Sequence, residues 1–183
     1  MLEYERIRDR DLLQRFRAGD RDAFTEIYRT HHKTVFRFAL LMTSDSVKAT
    51  EATQDVFVWL IHHPDGFDPT RGELGAFLVG VARKLLKRRY SEELRWVPLD
   101  EYGDFAASST LGSEASEDVS RLRQAISALP ERYRAVVVLC DLEEKTYEQA
   151  AVMVECAVGT VRSRLHRARA LLARRLVGKE CLV

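Results

Sequence analysis

Cysteine is scarce in this sequence, and the little there is sits badly for cross-linking. The three cysteines, Cys140, Cys156 and Cys181, are odd in number, far apart and without a C-x-x-C pair. Neither a disulfide framework nor a zinc site is signalled, and Cys140, inside "AVVVLC", reads as a core residue. A phosphate-binding glycine loop, a G-x-G-x-x-G turn and a nucleophile-base constellation are all missing, which removes the common enzyme classes. No apolar run approaches the roughly 20 residues of a membrane span, and no charged-then-apolar leader opens the chain. The expectation is a cytoplasmic protein with no membrane insertion. Histidine offers little more: His31-His32 and His62-His63 are adjacent pairs, whose members point to different sides of a helix, and the i,i+4 pairing of a helical metal site is absent. The sequence therefore calls for no metal, no cofactor and no catalytic residue.

An excess of one charge is lacking as well, since 29 lysines and arginines stand against 28 aspartates and glutamates. Nucleic-acid binding would have to come from segregated charge. Segregation is present. Arg83, Lys84, Lys87, Arg88 and Arg89 crowd together, as do the arginines after Arg162, whereas the stretch between them is rich in Glu and Asp.

The apolar content, 46% over 183 residues, suffices for helical cores of modest size, and its spacing is helical nearly throughout. From Asp11 to Ile61 apolar residues recur every three to four positions, with breaks at Gly19-Asp20 and "TSDS"; the third helix, from about Ser46, turns Ala49, Ala52, Val56 and Leu60 inward. "HHPDGFDPTRG" has two prolines and two glycines and reads as a loop. Leu74, Phe77, Leu78, Val81 and Leu85 then mark a helix ending in "KLLKRRY". Residues 92–118 lose periodicity and gain Ser, Gly, Ala and acid, the mark of a flexible linker. The expected architecture is all-α: two small helical domains, 1–91 and 119–183, joined by a flexible acidic linker.

In the second domain Pro130 suits the first turn of a helix, and Thr146-Tyr-Glu-Gln149 matches a capping box. Only Glu155, Cys156 and Ala157 separate that capped helix from "VGTVRSRLHRARALLARR". On a wheel of about 100° per residue, Val158, Val161, Leu165, Ala168, Leu172 and Leu176 share one face. The other face carries Thr160, Ser163 and Arg167, with Arg162 and His166 on its flank. Two helices joined by a short turn, the second basic on its outside, have the form of a helix-turn-helix. Thr160, Arg162, Ser163, His166 and Arg167 would then read bases or clamp phosphates.

These segments resemble a known family. "ALPERYRAVVVLCDLEEKTYEQAAVMVECAVGTVRSRLHRAR" is similar to region four of bacterial sigma factors of the extracytoplasmic-function (ECF) group. "ATQDVFVWL" followed by "FDPTRGELGAFLVGVARKLL" is similar to their region two. The resemblance implies promoter recognition without catalysis: region four on the minus-thirty-five element, region two on the minus-ten element. It implies core RNA polymerase as partner, through the beta-prime clamp helices and the beta flap, together with promoter DNA and an anti-sigma factor. Carried over by position, Glu51, Gln54, Asp55 and Phe57 would face polymerase, Phe57 suiting the core equally. The loop from Asp65 to Arg71 would capture an unstacked base, with Phe67 as the apolar or stacking contact or else packed under the loop, and Arg71, Arg83, Lys84, Lys87 and Arg88 supplying positive charge. Relatives often place Gly in the helix-turn-helix turn and Ser at the recognition-helix cap; here Glu155, Cys156 and Ala157 stand there. The rival reading, a helix-turn-helix regulator that binds duplex operators without polymerase, leaves region two unexplained.

Overall fold

A computed structural model describes residues 2–70, 72–95 and 117–177 of the chain. Among these residues the structure is helical and has no strand: α1 (Leu2–Arg17), α2 (Arg21–Thr43), α3 (Ser46–His62), α4 (Leu74–Arg95), α5 (Glu117–Ser127), α6 (Glu131–Val137), a π-helical turn (Val138–Leu142), α7 (Tyr147–Val154) and α8 (Val158–Val177).

The breaks between helices have local chemical causes. Gly19 takes φ +92°, a left-handed conformation that glycine adopts at no steric cost, and Asp20 then caps α2 by accepting from the backbone N–H of Asp22 (2.9 Å) and Ala23 (3.2 Å). Arg15 donates to the same carboxylate at 2.9 Å, and this hydrogen bond is the main reason the Asp20 carboxyl is held below its ordinary range. Ser44 ends α2 in the left-handed region, and Asp45 caps α3 through the N–H groups of Val47 and Lys48. α1 starts well before Asp11, where the sequence shows charge rather than apolar period. Polar pairs dock it: Arg8 meets Glu26 at 2.5 Å, and Asp9 sits 3.0 Å from His31 with both side chains nearly buried.

Helices α1 to α4 enclose Leu13, Ile27, Val35, Phe38, Leu60 and Leu78, all fully buried. α5 to α8 enclose Leu129, Val136, Leu139, Ala150, Val161 and Leu165, also buried. At about 1.5–3 kcal/mol per buried large apolar side chain, each group is the main support of its own bundle. The two bundles also share one continuous apolar cluster, with α2 and α4 of the first against α6, α7 and the π turn of the second. The helices α4 and α7 approach closely: a Cβ added to Gly80 would lie 3.6 Å from the Met153 carbonyl oxygen. The linker expectation falls largely on residues 96–116, outside the described residues; on its flanks α4 runs on to Arg95 and α5 begins at Glu117.

Candidate nucleic-acid interface

α7 and α8 form the helix-turn-helix. Thr146 accepts from the Gln149 backbone N–H (3.2 Å) while the Gln149 side chain accepts from the Thr146 N–H (3.0 Å), so the capping box is complete. α7 stops at Glu155, which adopts φ +53°, and Cys156 N–H closes the turn on the Ala151 carbonyl at 3.0 Å. A left-handed conformation costs a non-glycine residue roughly 1–2 kcal/mol, a strain that a glycine in this turn would not carry. Ala157 then starts α8 by accepting from Thr160 and Val161 N–H. Val161, Leu165 and Ala168 are buried, and Val158 and Leu172 pack beside them.

The opposite face of α8 presents Arg162, Ser163, His166 and Arg167 to solvent, with Thr160 half-buried. Its arginines are not equivalent. Arg169 is spent on Asp141, donating Nε at 3.2 Å and Nη2 at 2.6 Å. Arg175 reaches the Ala125 carbonyl and Arg164 the Cys156 sulfur. Arg162 instead lies over the Tyr147 ring, 5.7 Å from its centroid. The Arg167 guanidinium beside Tyr133 is the main cause holding that phenol below its ordinary range.

The outer face of α3 carries the residues expected to meet polymerase. Glu51 and Gln54 are exposed and Asp55 is half-exposed. Arg89 of α4 bridges the two carboxylates, with Nη1 2.9 Å from Glu51 and Nη2 in a short contact with Asp55. Phe57 takes the core alternative. It is 3% exposed, wedged between the Phe24 and Tyr28 rings at 6.4 and 4.7 Å, and lies on the core side of α3. The expectation missed Val47, Val58 and Ile61, which are exposed beside Glu51 and Gln54. Their positions at i, i+4, i+7, i+11 and i+14 form one helical stripe, a signal the sequence did hold.

Phe67 takes the packed alternative. The ring is 5% exposed and packs on Phe77 at 5.1 Å, so neither face is open for a stacked base. The loop is fastened over it. Arg17 donates to the carbonyls of Pro64 (3.0 Å) and Phe67 (2.7 Å) and pairs with Asp65 at 3.1 Å. Gly66 lies against the Trp59 indole so closely that a Cβ would meet it at 2.6 Å. Asp65 itself is exposed; Arg71 lies outside the described residues. On α4, Lys87 and Arg88 are exposed.

Arg83 and Lys84, expected to face DNA, turn toward the second bundle. Arg83 Nε is 3.2 Å from Glu131, off a good hydrogen-bond axis, with its side chain 12% exposed. Lys84 meets Glu155 at 2.6 Å with both side chains largely in solvent. Two further arginines reach across the same boundary. Arg37 holds Glu143 at 2.6 Å and the Leu142 carbonyl at 3.2 Å, and Arg134 donates to the Met42 carbonyl at 2.5 Å. Burial pushes the Glu143 carboxyl above its ordinary range.

Among the described residues no helix is long and apolar enough to cross a membrane. Residues 27–95 match the family model for sigma-70 region 2, and residues 120–172 match that for sigma-70 region 4. The chain is 34% identical to the ECF RNA polymerase sigma factor SigM of Mycobacterium tuberculosis, over 92% of this chain and 84% of that one. Against the ECF sigma factor SigE of Mycolicibacterium smegmatis, identity is 29%; the match covers 83% of this chain but only 62% of the relative's length. Among solved structures it is similar to the sigma factor RpoE of Bartonella quintana in complex with the anti-sigma factor NepR, with a TM-score of 0.71 and 26% identity over 85% of this chain and 96% of that one. With both regions matched in order on one chain, and the helices of each in place, the protein belongs to the ECF group of bacterial RNA polymerase sigma factors.

Proposed function

We propose that this chain acts in the cytoplasm as an alternative sigma factor: it joins core RNA polymerase, carries it to a particular set of promoters and promotes their opening. The polymerase supplies the chemistry. The observation that carries the reading is the pairing, in one chain, of a capped helix-turn-helix whose basic face is turned outward with a region-two bundle bearing its own polar helix face. Thr160, Arg162, Ser163, His166 and Arg167 contact the minus-thirty-five duplex, arginine offering paired N–H groups to guanine and phosphate. Glu51, Gln54 and Asp55, with Val47 before them and Val58 and Ile61 after them on the same stripe, dock on the beta-prime clamp helices. Basic α4 and the loop from Asp65 to Arg71 serve the minus-ten strand, with Phe67 supporting that loop from beneath. Region four also meets the beta flap.

An anti-sigma factor is part of this proposal, on the likeness to the complex of RpoE with NepR. Run-off transcription on genomic fragments, using purified core polymerase with and without the chain, tests the function. New initiation at a defined set of start sites is the expected result. Binding to duplex DNA with no polymerase-dependent initiation would overturn it in favour of an ordinary helix-turn-helix regulator.

A further inference from the structure

We propose that Tyr147 is a positioning residue for promoter recognition: its ring pre-orients the Arg162 guanidinium for bidentate contact with one base pair of the minus-thirty-five element. This rests on the reading of α8 as the duplex-contacting helix. Tyr147 is the first residue of α7, and the Thr146–Gln149 capping box that encloses it fixes its backbone. Its ring is half-buried against the region-four core, which fixes the side chain as well. Arg162 projects from the first turns of α8, the part of a recognition helix that reaches base edges, and its Cζ stands 5.7 Å from the ring centroid.

An aromatic face attracts a guanidinium while leaving the in-plane N–H groups unused. A carboxylate behaves in the opposite way. Asp141 takes two N–H groups of Arg169, and that arginine is thereby committed to holding α8 on its scaffold. The partner of each arginine therefore sorts their roles: Arg169 docks the helix, and Arg162 is steadied with its donors still available. A free arginine must give up rotamer entropy when it forms a paired contact, whereas one already held by a ring gives up less.

The test uses holoenzyme reconstituted from core polymerase and the full chain, with a duplex promoter library randomised across the minus-thirty-five segment. Arg162→Ala first identifies the base pair whose preference depends on that side chain. Tyr147→Leu is expected to flatten preference at the same base pair by about two- to fivefold, the scale of an exposed cation–π contact. Other positions should be untouched, and the loss in the Tyr147→Leu/Arg162→Ala double variant should not exceed that of Arg162→Ala alone. Tyr147→Phe keeps the ring and should keep the wild-type profile. Equal weakening of every sequence by Tyr147→Leu would overturn the proposal in favour of a structural role, and equal weakening by Tyr147→Phe would do so in favour of a hydroxyl-phosphate contact. An unchanged Tyr147→Leu profile, while Arg162→Ala flattens one position, overturns the positioning role alone. If Arg162→Ala flattens no position, the assignment of Arg162 as a base reader fails as well.

Discussion

Reversing the charge of Glu131 should separate the two bundles. Glu131 faces Arg83 at 3.2 Å, and the Arg83 side chain is only 12% exposed. At an effective dielectric of 20, two unit charges at that distance attract by about 5 kcal/mol. Much of this is offset by the desolvation both groups undergo, and Glu131 keeps 35% of its side-chain exposure, so about 2–3 kcal/mol is a reasonable net cost for Glu131→Lys. That changes the docking equilibrium by roughly 30- to 150-fold. Glu155→Lys provides the contrast: the Lys84–Glu155 pair is 60% and 58% exposed, and such surface pairs contribute about 0–1 kcal/mol. Small-angle X-ray scattering at fixed ionic strength reads the radius of gyration of each variant. Glu131→Lys should expand the particle measurably, Glu155→Lys only slightly, and the swap Arg83→Glu/Glu131→Lys should restore most of the compact form. Glu131 also lies in the first turn of α6, where reversal costs about 0.3–1 kcal/mol through the helix dipole; the swap does not repair that part, so it isolates the docking contribution. Failure of the swap to compact the particle, or equal expansion by both single reversals, would refute the reasoning.

Phe67→Ala should lower stability by about 3–5 kcal/mol, the cost of emptying a buried aromatic site; a denaturant midpoint close to wild type would mean that the ring is not held on Phe77. Asp55→Lys should weaken association with core polymerase at least about tenfold, the effect of losing a well-placed charged contact, while Arg89→Ala, which frees the same carboxylate, should retain binding; titration of labelled chain with core enzyme checks both. The Glu143 carboxyl, raised from its ordinary 4.5 by burial despite Arg37, binds its proton more tightly in the folded, docked protein than in the unfolded chain. Its contribution to stability is therefore fully present below about pH 4.5 and is lost as pH rises through the raised value. Melting temperatures of wild type and Glu143→Gln across that range should change in favour of the glutamine variant as pH increases, and parallel curves would count against it.

The features legible in the sequence were those written in local spacing. Ala49, Ala52, Val56 and Leu60 repeat at helical intervals, and all four are buried in α3; Thr146 and Gln149 stand three apart, and they close the capping box. The α8 stripe could be read in the same way. Features made by residues distant in the chain were not legible. Nothing around Arg89 tells that it bridges Glu51 and Asp55, and nothing around Arg83 or Lys84 tells that region four supplies their counter-charges. Phe67 shows a different limit: a single aromatic in a proline-broken loop has no periodicity, so its direction is set only by what waits beneath it, here Phe77. The charged opening of α1 was missed because its docking rests on polar pairs such as Asp9–His31 rather than on an apolar stripe.

The π turn at Val138–Leu142 fixes the chain's phase. Its bond from Glu143 N–H to the Val138 carbonyl, 2.9 Å, spans five residues rather than four, so the helix holds one residue more than a regular α turn would. Each residue in a helix turns its successor by about 100°, and the extra one sets the heading of everything that leaves the turn. Asp141 is thereby brought to Arg169 of α8, while the Leu142 carbonyl and Glu143 meet Arg37 of region two. Helix α8 and the bundle that carries α3 thus take their bearings from one widened turn. A single-residue deletion there, for instance of Cys140, would leave composition and charge almost unchanged yet swing Asp141 out of reach of one arginine and Glu143 out of reach of the other. In this short segment, residue count rather than residue identity is the constrained quantity.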